Sequence, residues 1–143
     1  MSIKIDATDQ AFSDYIRSRD GWECQRCITL GKRSVFRPPK RLINKFPQYE
    51  YRFRNAKGLH AMHCFSRGGM AVRYDSIDAL AGCYGCHSYL DAHPLEKYDF
   101  FESVIGKEAF EELRIRSKTA RHGTDKEEIK LMYREKLKEL SKN

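Results

Sequence analysis

Cys83-Tyr84-Gly85-Cys86-His87 decides how this chain is read, because Cys24-Gln25-Arg26-Cys27 carries the same cysteine spacing far upstream. Two residues between thiolates let both sulfurs turn toward one ion at about 2.3 Å, and two such pairs complete a tetrahedron. A structural zinc on Cys24, Cys27, Cys83 and Cys86 is therefore expected. Such a closed site does no chemistry of its own. The rival, a dithiol redox centre, calls for a thioredoxin-like βαβ unit, and neither pair sits in one. The fifth cysteine, Cys64, is expected to pack as a small apolar residue, with an alternative ligand set that uses it left open.

Working outward from the second pair, His60, His63, His87 and His93 all fall within residues 60–93. Leu59–Cys64 and Met70–Tyr74 read as two short strands joined by the turn Ser66-Arg67-Gly68-Gly69, and the pattern becomes helical after Cys86. His63 then closes a strand and His87 opens a helix, so that two imidazoles face each other across a groove. One can take a proton from water while the other holds a divalent ion against a phosphate. His93 and His122 read as surface residues, and His60 is intermediate.

Further out, Asp9–Arg19 has the period of a short amphipathic helix capped by Thr8 or Asp9, and Gly21 ends it. Residues 31–48 contain Pro38-Pro39 and read as irregular. Tyr49, Tyr51 and Phe53 alternate with charged residues, the two-residue period of a strand. Pro94 opens a helix over Leu95–Ile105, Gly106 breaks it, and Lys107–Lys118 forms another. Thr124 and Glu127 form a capping box for a last helix whose apolar side carries Ile129, Met132, Tyr133, Leu137 and Leu140. That spacing would serve packing on its own domain or a homodimer, and the first is favoured.

The 143 residues make one domain by length, and 41% hydrophobic residues suffice for a modest core. The fold class expected is α+β: residues 1–94 as a zinc-stapled core with a basic insertion at about 31–57, and residues 95–143 as a helical extension packed on it. No apolar stretch is long enough for a membrane span. Met1-Ser2-Ile3-Lys4-Ile5-Asp6 has no apolar signal core, so a cytoplasmic location is expected. Lys and Arg outnumber Asp and Glu by 27 to 20, a net charge of +7. The excess is concentrated: residues 31–57 carry nine basic side chains, Lys40, Arg41, Lys45, Arg52 and Arg54 among them, against Glu50 alone. Aromatics are interleaved with them, which suits a phosphate backbone and unstacked bases, so DNA is the expected partner.

The run His63-Cys-Phe-Ser-Arg67-Gly68, then Arg73-Tyr74-Asp75, Asp78 and Cys83-Tyr-Gly-Cys86-His87, resembles the core of the ββα-metal (HNH) nucleases. More narrowly it is similar to the NinG/Rap family of phage recombination nucleases. The likeness begins at Tyr15-Ile-Arg-Ser-Arg-Asp20. It continues through Leu95-Glu-Lys-Tyr98, Val104-Ile-Gly106 and the terminal Tyr133–Leu140, and it leaves out the insertion. The resemblance implies a small ββα-metal core, His63 as the general base that activates water, and His87 as a ligand of a catalytic Mg²⁺ or Mn²⁺. It makes Arg67 a phosphate contact or transition-state stabiliser, and branched or junction DNA the substrate inside a phage-infected bacterial cell. Asp78 stands where the family has an Asn that pins the hairpin loop, and His60 lies three residues before the base, where a related pattern has an acidic ligand. Two other readings share these features: a zinc-stapled DNA-binding module without hydrolytic activity, and a sequence-specific homing or restriction-type nuclease.

Overall fold

The computed structural model describes residues 6–46, 58–65, 72–119 and 125–142. Seven helices and one two-stranded sheet occupy them: α1 (Ala7–Arg19), α2 (Gln25–Thr29), α3 (Lys40–Lys45), β1 (Leu59–His63), β2 (Ala79–Cys83), α4 (Tyr84–Ala92), α5 (Pro94–Ile105), α6 (Lys107–Ser117) and α7 (Lys126–Ser141). The protein is thus a mixed α+β chain with more helix than sheet. Among the described residues no helix is long and apolar enough to cross a membrane.

Capping chemistry sets the helix starts, at residues other than the expected ones. Asp6, rather than Thr8 or Asp9, caps α1: its carboxylate accepts the Asp9 N–H while the Asp9 carboxylate accepts the Asp6 N–H. Two acids three residues apart, at the N-cap and N3 positions, satisfy two orphan donors reciprocally, which frees Thr8 to donate its hydroxyl to the Lys126 carbonyl of α7. Asp125 caps α7 by accepting the Glu128 N–H, so the cap falls one residue after the expected Thr124, which lies outside the described residues. Residues 40–45, expected to be irregular, form α3, because Pro39 supplies an extended residue directly before a helical turn. The strand expected at 49–53 lies outside the described residues.

β1 pairs antiparallel with β2 in the register Leu59↔Cys83, His60↔Gly82, Ala61↔Ala81, Met62↔Leu80 and His63↔Ala79. The second strand is therefore Ala79–Cys83 and not Met70–Tyr74, whose described residues 72–74 are turn. Ala-Leu-Ala-Gly-Cys has little strand propensity of its own. Its neighbours hold it there. Arg19 of α1 spreads its guanidinium over the Ser76 and Ala79 carbonyls, both at 2.7 Å, and the Asp20 carboxylate accepts the Ala81 N–H at 2.8 Å. These side chains meet backbone groups that a third strand would otherwise have taken. Ala79 and Ala81 are fully buried, so their small size brings α1 close to the sheet.

Three apolar clusters surround this centre. Trp22, Leu42, Ile43 and Phe46 gather around the cysteines, with Leu59 and Leu137. Met62, Leu80, Leu90, Phe101 and Leu113 join the other face of the sheet to α4, α5 and α6. Phe12 and Ile16 of α1 meet Tyr74 and Tyr133, and the Tyr133 hydroxyl donates to the buried Tyr74 carbonyl. The apolar side of α7 is thus spent mainly within the chain, with Tyr133 and Leu137 buried and Met132 left exposed.

Candidate functional site

Each cysteine pair caps a helix with its first sulfur. Cys24 precedes α2 and accepts the Cys27 N–H; Cys83 precedes α4 and accepts the Cys86 N–H, both at 3.4 Å. Because α4 begins at Tyr84, the second pair is built into the helix start rather than preceding it, and His87 sits in the first turn. Pairing of β1 with β2 and the Glu23–Val35 bridge bring the two corners together. Cys27 Sγ lies 3.8 Å from Cys86 Sγ and 4.0 Å from Cys83 Sγ, and all four sulfurs lie within 4.8 Å of one another. A tetrahedron with metal–sulfur bonds of about 2.3 Å has edges of about 3.8 Å, so the four donors fit a zinc ion. Burial pushes the Cys24 and Cys86 thiols up, and burial does the same at Cys83 until four hydrogen bonds from Cys86, Cys24 and Cys27 outweigh it and bring that thiol down. A cation among them supplies the charge that lets all four ionise together. Ser34 Oγ at 3.2 Å from Cys27 Sγ and the Arg26 guanidinium at 3.6 Å from Cys86 Sγ donate to the cluster from outside. Cys64 stays apart, buried among Met62, Val72 and Leu80, with its thiol pushed up to about 12 by burial and by Asp78.

The histidines expected to matter converge. His60, His63 and His87 line one cavity of about 400 Å³, together with Asp9, Phe12, Ser13 and Arg17 of α1. His63 does close β1, and His87 does stand on the following helix. The partner that meets His87, however, is His60: their Nδ1 atoms are 2.8 Å apart. At that separation either one ring donates to the other or both lone pairs turn to a shared ion. Burial holds both imidazoles below the ordinary histidine value, with Arg17 adding to the effect on His60, while Asp91 opposes it at His87. His87 Nε2 lies 3.3 Å from the Asp91 carboxylate, a contact that orients the ring.

His63 is held differently. Its Nδ1 lies 3.2 Å from Asp78 Oδ2, its ring stacks on Phe12, and both rings line the cavity. Asp78 is completely buried and its second oxygen accepts the Phe65 N–H at 2.9 Å, so one carboxylate fixes both the imidazole and the backbone that leaves β1. Burial pushes the Asp78 carboxyl up, and the bonds from His63 and Phe65 pull it part of the way back.

Arg17 is the residue that sequence reading missed. It lines the histidine cavity, donates to the Leu59 carbonyl and to the Asp14 carboxylate, and lies over the Trp22 ring. Its position in an apparently ordinary helix gave no signal; only the packing of α1 across β1 puts it there. Of the basic residues singled out, Arg41 is committed to Asp14 through two bonds of 2.6 and 2.7 Å, and Lys40 and Lys45 lie exposed on the same short helix. Arg52, Arg54, Arg67 and His122 lie outside the described residues. His93 stacks on Tyr89 and bonds to its carbonyl, away from the cavity.

No family model matches the chain, and no solved structure matches it. A stretch of 35 residues, 24% of this chain, is 40% identical to Helper of Tim protein 13 of Saccharomyces cerevisiae. That stretch spans 30% of the yeast protein's length, a local likeness.

Proposed function

We propose that the protein is a metal-dependent DNA endonuclease of the ββα-metal (HNH) type, acting on branched DNA. The observation that supports this most is the convergence of His60, His63 and His87 on one cavity, with a buried carboxylate behind one ring and two facing nitrogens on the others. β1, β2 and α4 follow one another in the order that a ββα-metal core requires. The net charge of +7 suits a polyanionic substrate.

His63 carries the proton transfer. With Nδ1–H donating to Asp78, Nε2 keeps its lone pair, takes a proton from water and shares the resulting charge with the carboxylate. His60 and His87 would hold the catalytic Mg²⁺ or Mn²⁺ through their Nδ1 atoms, with water completing the shell. When bound, such an ion stabilises the charge that develops on the scissile phosphate and the leaving oxygen. Arg17 faces the same cavity and can neutralise a phosphate oxygen there.

Incubation of the zinc-loaded protein with four-way and linear DNA, with and without Mn²⁺, tests the reading. Metal-dependent cleavage that His63→Ala abolishes without changing DNA affinity is the expected result. Binding with no cleavage by the wild-type chain would leave a zinc-stapled DNA-binding module in its place.

A further inference from the structure

A second cleft lies on another flank of α1. Ala7, Gln10, Ala11 and Asp14 form one wall, Arg41, Leu42 and Lys45 of α3 another, and Arg134 and Leu137 of α7 the third, enclosing about 220 Å³. On a helix of 3.6 residues per turn, positions 7, 11 and 14 look one way, while 9, 13 and 17 look toward the histidine cavity. Both cavities therefore share α1 as a partition. Leu42 and Leu137 are buried and give the cleft an apolar floor, and its rim carries three cations, Arg41, Lys45 and Arg134.

Among the described residues the only acid lining the cleft is Asp14, which is 4% exposed. It does not cancel those cations, because its charge is shared. Arg17 reaches it at 2.8 Å from the other flank, and Arg41 binds it with both terminal nitrogens. The second role of Asp14 is geometric. A guanidinium held by two bonds to a buried carboxylate presents its remaining N–H groups in a fixed direction, at little further entropic cost. Lys45 and Arg134, both exposed, complete a cationic rim assembled from two separate elements, α3 and α7. Lys45 and Arg41 belong to the basic insertion, whereas Arg134 lies in a helix with a nearly balanced charge and is drawn to them only by the fold.

We infer that this cleft is a phosphate subsite, in which Lys45 and Arg134, with Arg41 oriented by Asp14, seat a phosphodiester of the nucleic acid whose cleaved bond lies in the histidine cavity. The inference rests on the DNA reading given above and adds to it a place where the backbone is held away from the reacting bond. A phosphodiester, rather than a free phosphate ion, is favoured by the two exposed cations at the rim, which leave the site open along a path that a strand can follow.

The test measures affinity without hydrolysis. Binding of a fluorescein-labelled four-way DNA junction is followed by anisotropy between 50 and 200 mM salt, with no divalent cation added. Each phosphate neutralised on duplex DNA contributes about 0.9 to the slope of log affinity against log salt. The variant Lys45→Gln/Arg134→Gln is therefore expected to lose about 1.8 from that slope, so the wild-type constant falls about 12-fold further than the variant's across this range. Lys45→Arg/Arg134→Lys is expected to keep the wild-type slope, which separates charge from folding. Lys107→Gln/Lys118→Gln removes the same charge at α6 and is expected to leave the slope nearly unchanged. An unchanged slope in the cleft variant overturns the inference, as does an equal loss in the α6 variant. Orthophosphate at constant ionic strength that shifts the wild-type melting temperature but not the DNA slope of either variant assigns the cleft to the free ion and also overturns it. Cleavage with an unaltered slope refutes the subsite and leaves the nuclease intact; a lost slope without any cleavage does the reverse.

Discussion

Asp78→Asn changes one atom at the centre of the site and reverses the direction of a hydrogen bond. In the wild type, Oδ1 accepts the Phe65 N–H at 2.9 Å and Oδ2 faces His63 Nδ1 at 3.2 Å. The Phe65 N–H can only donate, so the single oxygen of an asparagine must stay with it. The amide nitrogen then faces His63 and donates to Nδ1, which moves the imidazole proton to Nε2. Hydrogen bonds to charged groups contribute about 1.5–3 kcal/mol. Losing that preference shifts the tautomer ratio by roughly 10- to 160-fold at 1.36 kcal/mol per factor of ten. Long-range ¹H–¹⁵N correlation spectra of histidine-labelled protein read the tautomer directly. Proton on Nδ1 in the wild type and on Nε2 in the variant is expected, with cleavage reduced by a comparable factor or more. A wild-type ring already protonated on Nε2 refutes the orientation; a reversed tautomer with full cleavage refutes the role of Nε2 as base.

The four sulfurs predict one zinc per chain by elemental analysis, and Cys86→Ser should lose it and unfold, since structural zinc contributes about 10–16 kcal/mol in small sites; a folded, zinc-free variant would remove the cross-link from the account. His60 and His87 are held below their ordinary value, so the unfolded chain takes up protons first. Their contribution to stability is complete above the unfolded value of about 6.5 and is lost as pH falls below it. Melting temperatures should thus drop between pH 7.5 and 5.5, and His60→Gln/His87→Gln should flatten that drop; an identical slope in both proteins argues against it. Asp14→Ala strips a buried partner from Arg17 and Arg41 and should cost about 3–5 kcal/mol in denaturant unfolding. Leu137→Ala, at a buried position between α7 and the cysteine cluster, should cost about 2–5 kcal/mol by the same measurement.

Much of this centre could be read from residue spacing. Two cysteine pairs with two intervening residues pointed to the donor set, because that spacing lets both sulfurs of a pair turn to one ion; the burial of Cys64 in a separate apolar cluster leaves it out of that set. β1 and α4 followed from their periods, and with them His63 and His87. What was missed depends on side chains reaching across the chain. β2 has a sequence poor in strand formers, and it is a strand because Arg19 and Asp20 satisfy its backbone and small residues admit α1. Val72 and Tyr74 looked like strand residues, yet their apolar surface is used in two different clusters on either side of a turn. The meeting of His60 with His87 depends on the register of β1 against β2 and on the pitch of α4. Arg17 and Arg134 carried no local mark, because an arginine on a helix becomes part of a site only through what packs beside it.

α1 lies near the start of the sequence, and its apolar face is covered by Tyr133, which is translated more than a hundred residues later. The four sulfur donors are all in the chain by Cys86, well before the residues of α7 that cover Phe12 and Ile16. Synthesis therefore passes through an interval in which all four sulfur donors are in the chain while the apolar face of α1 has yet to meet Tyr133.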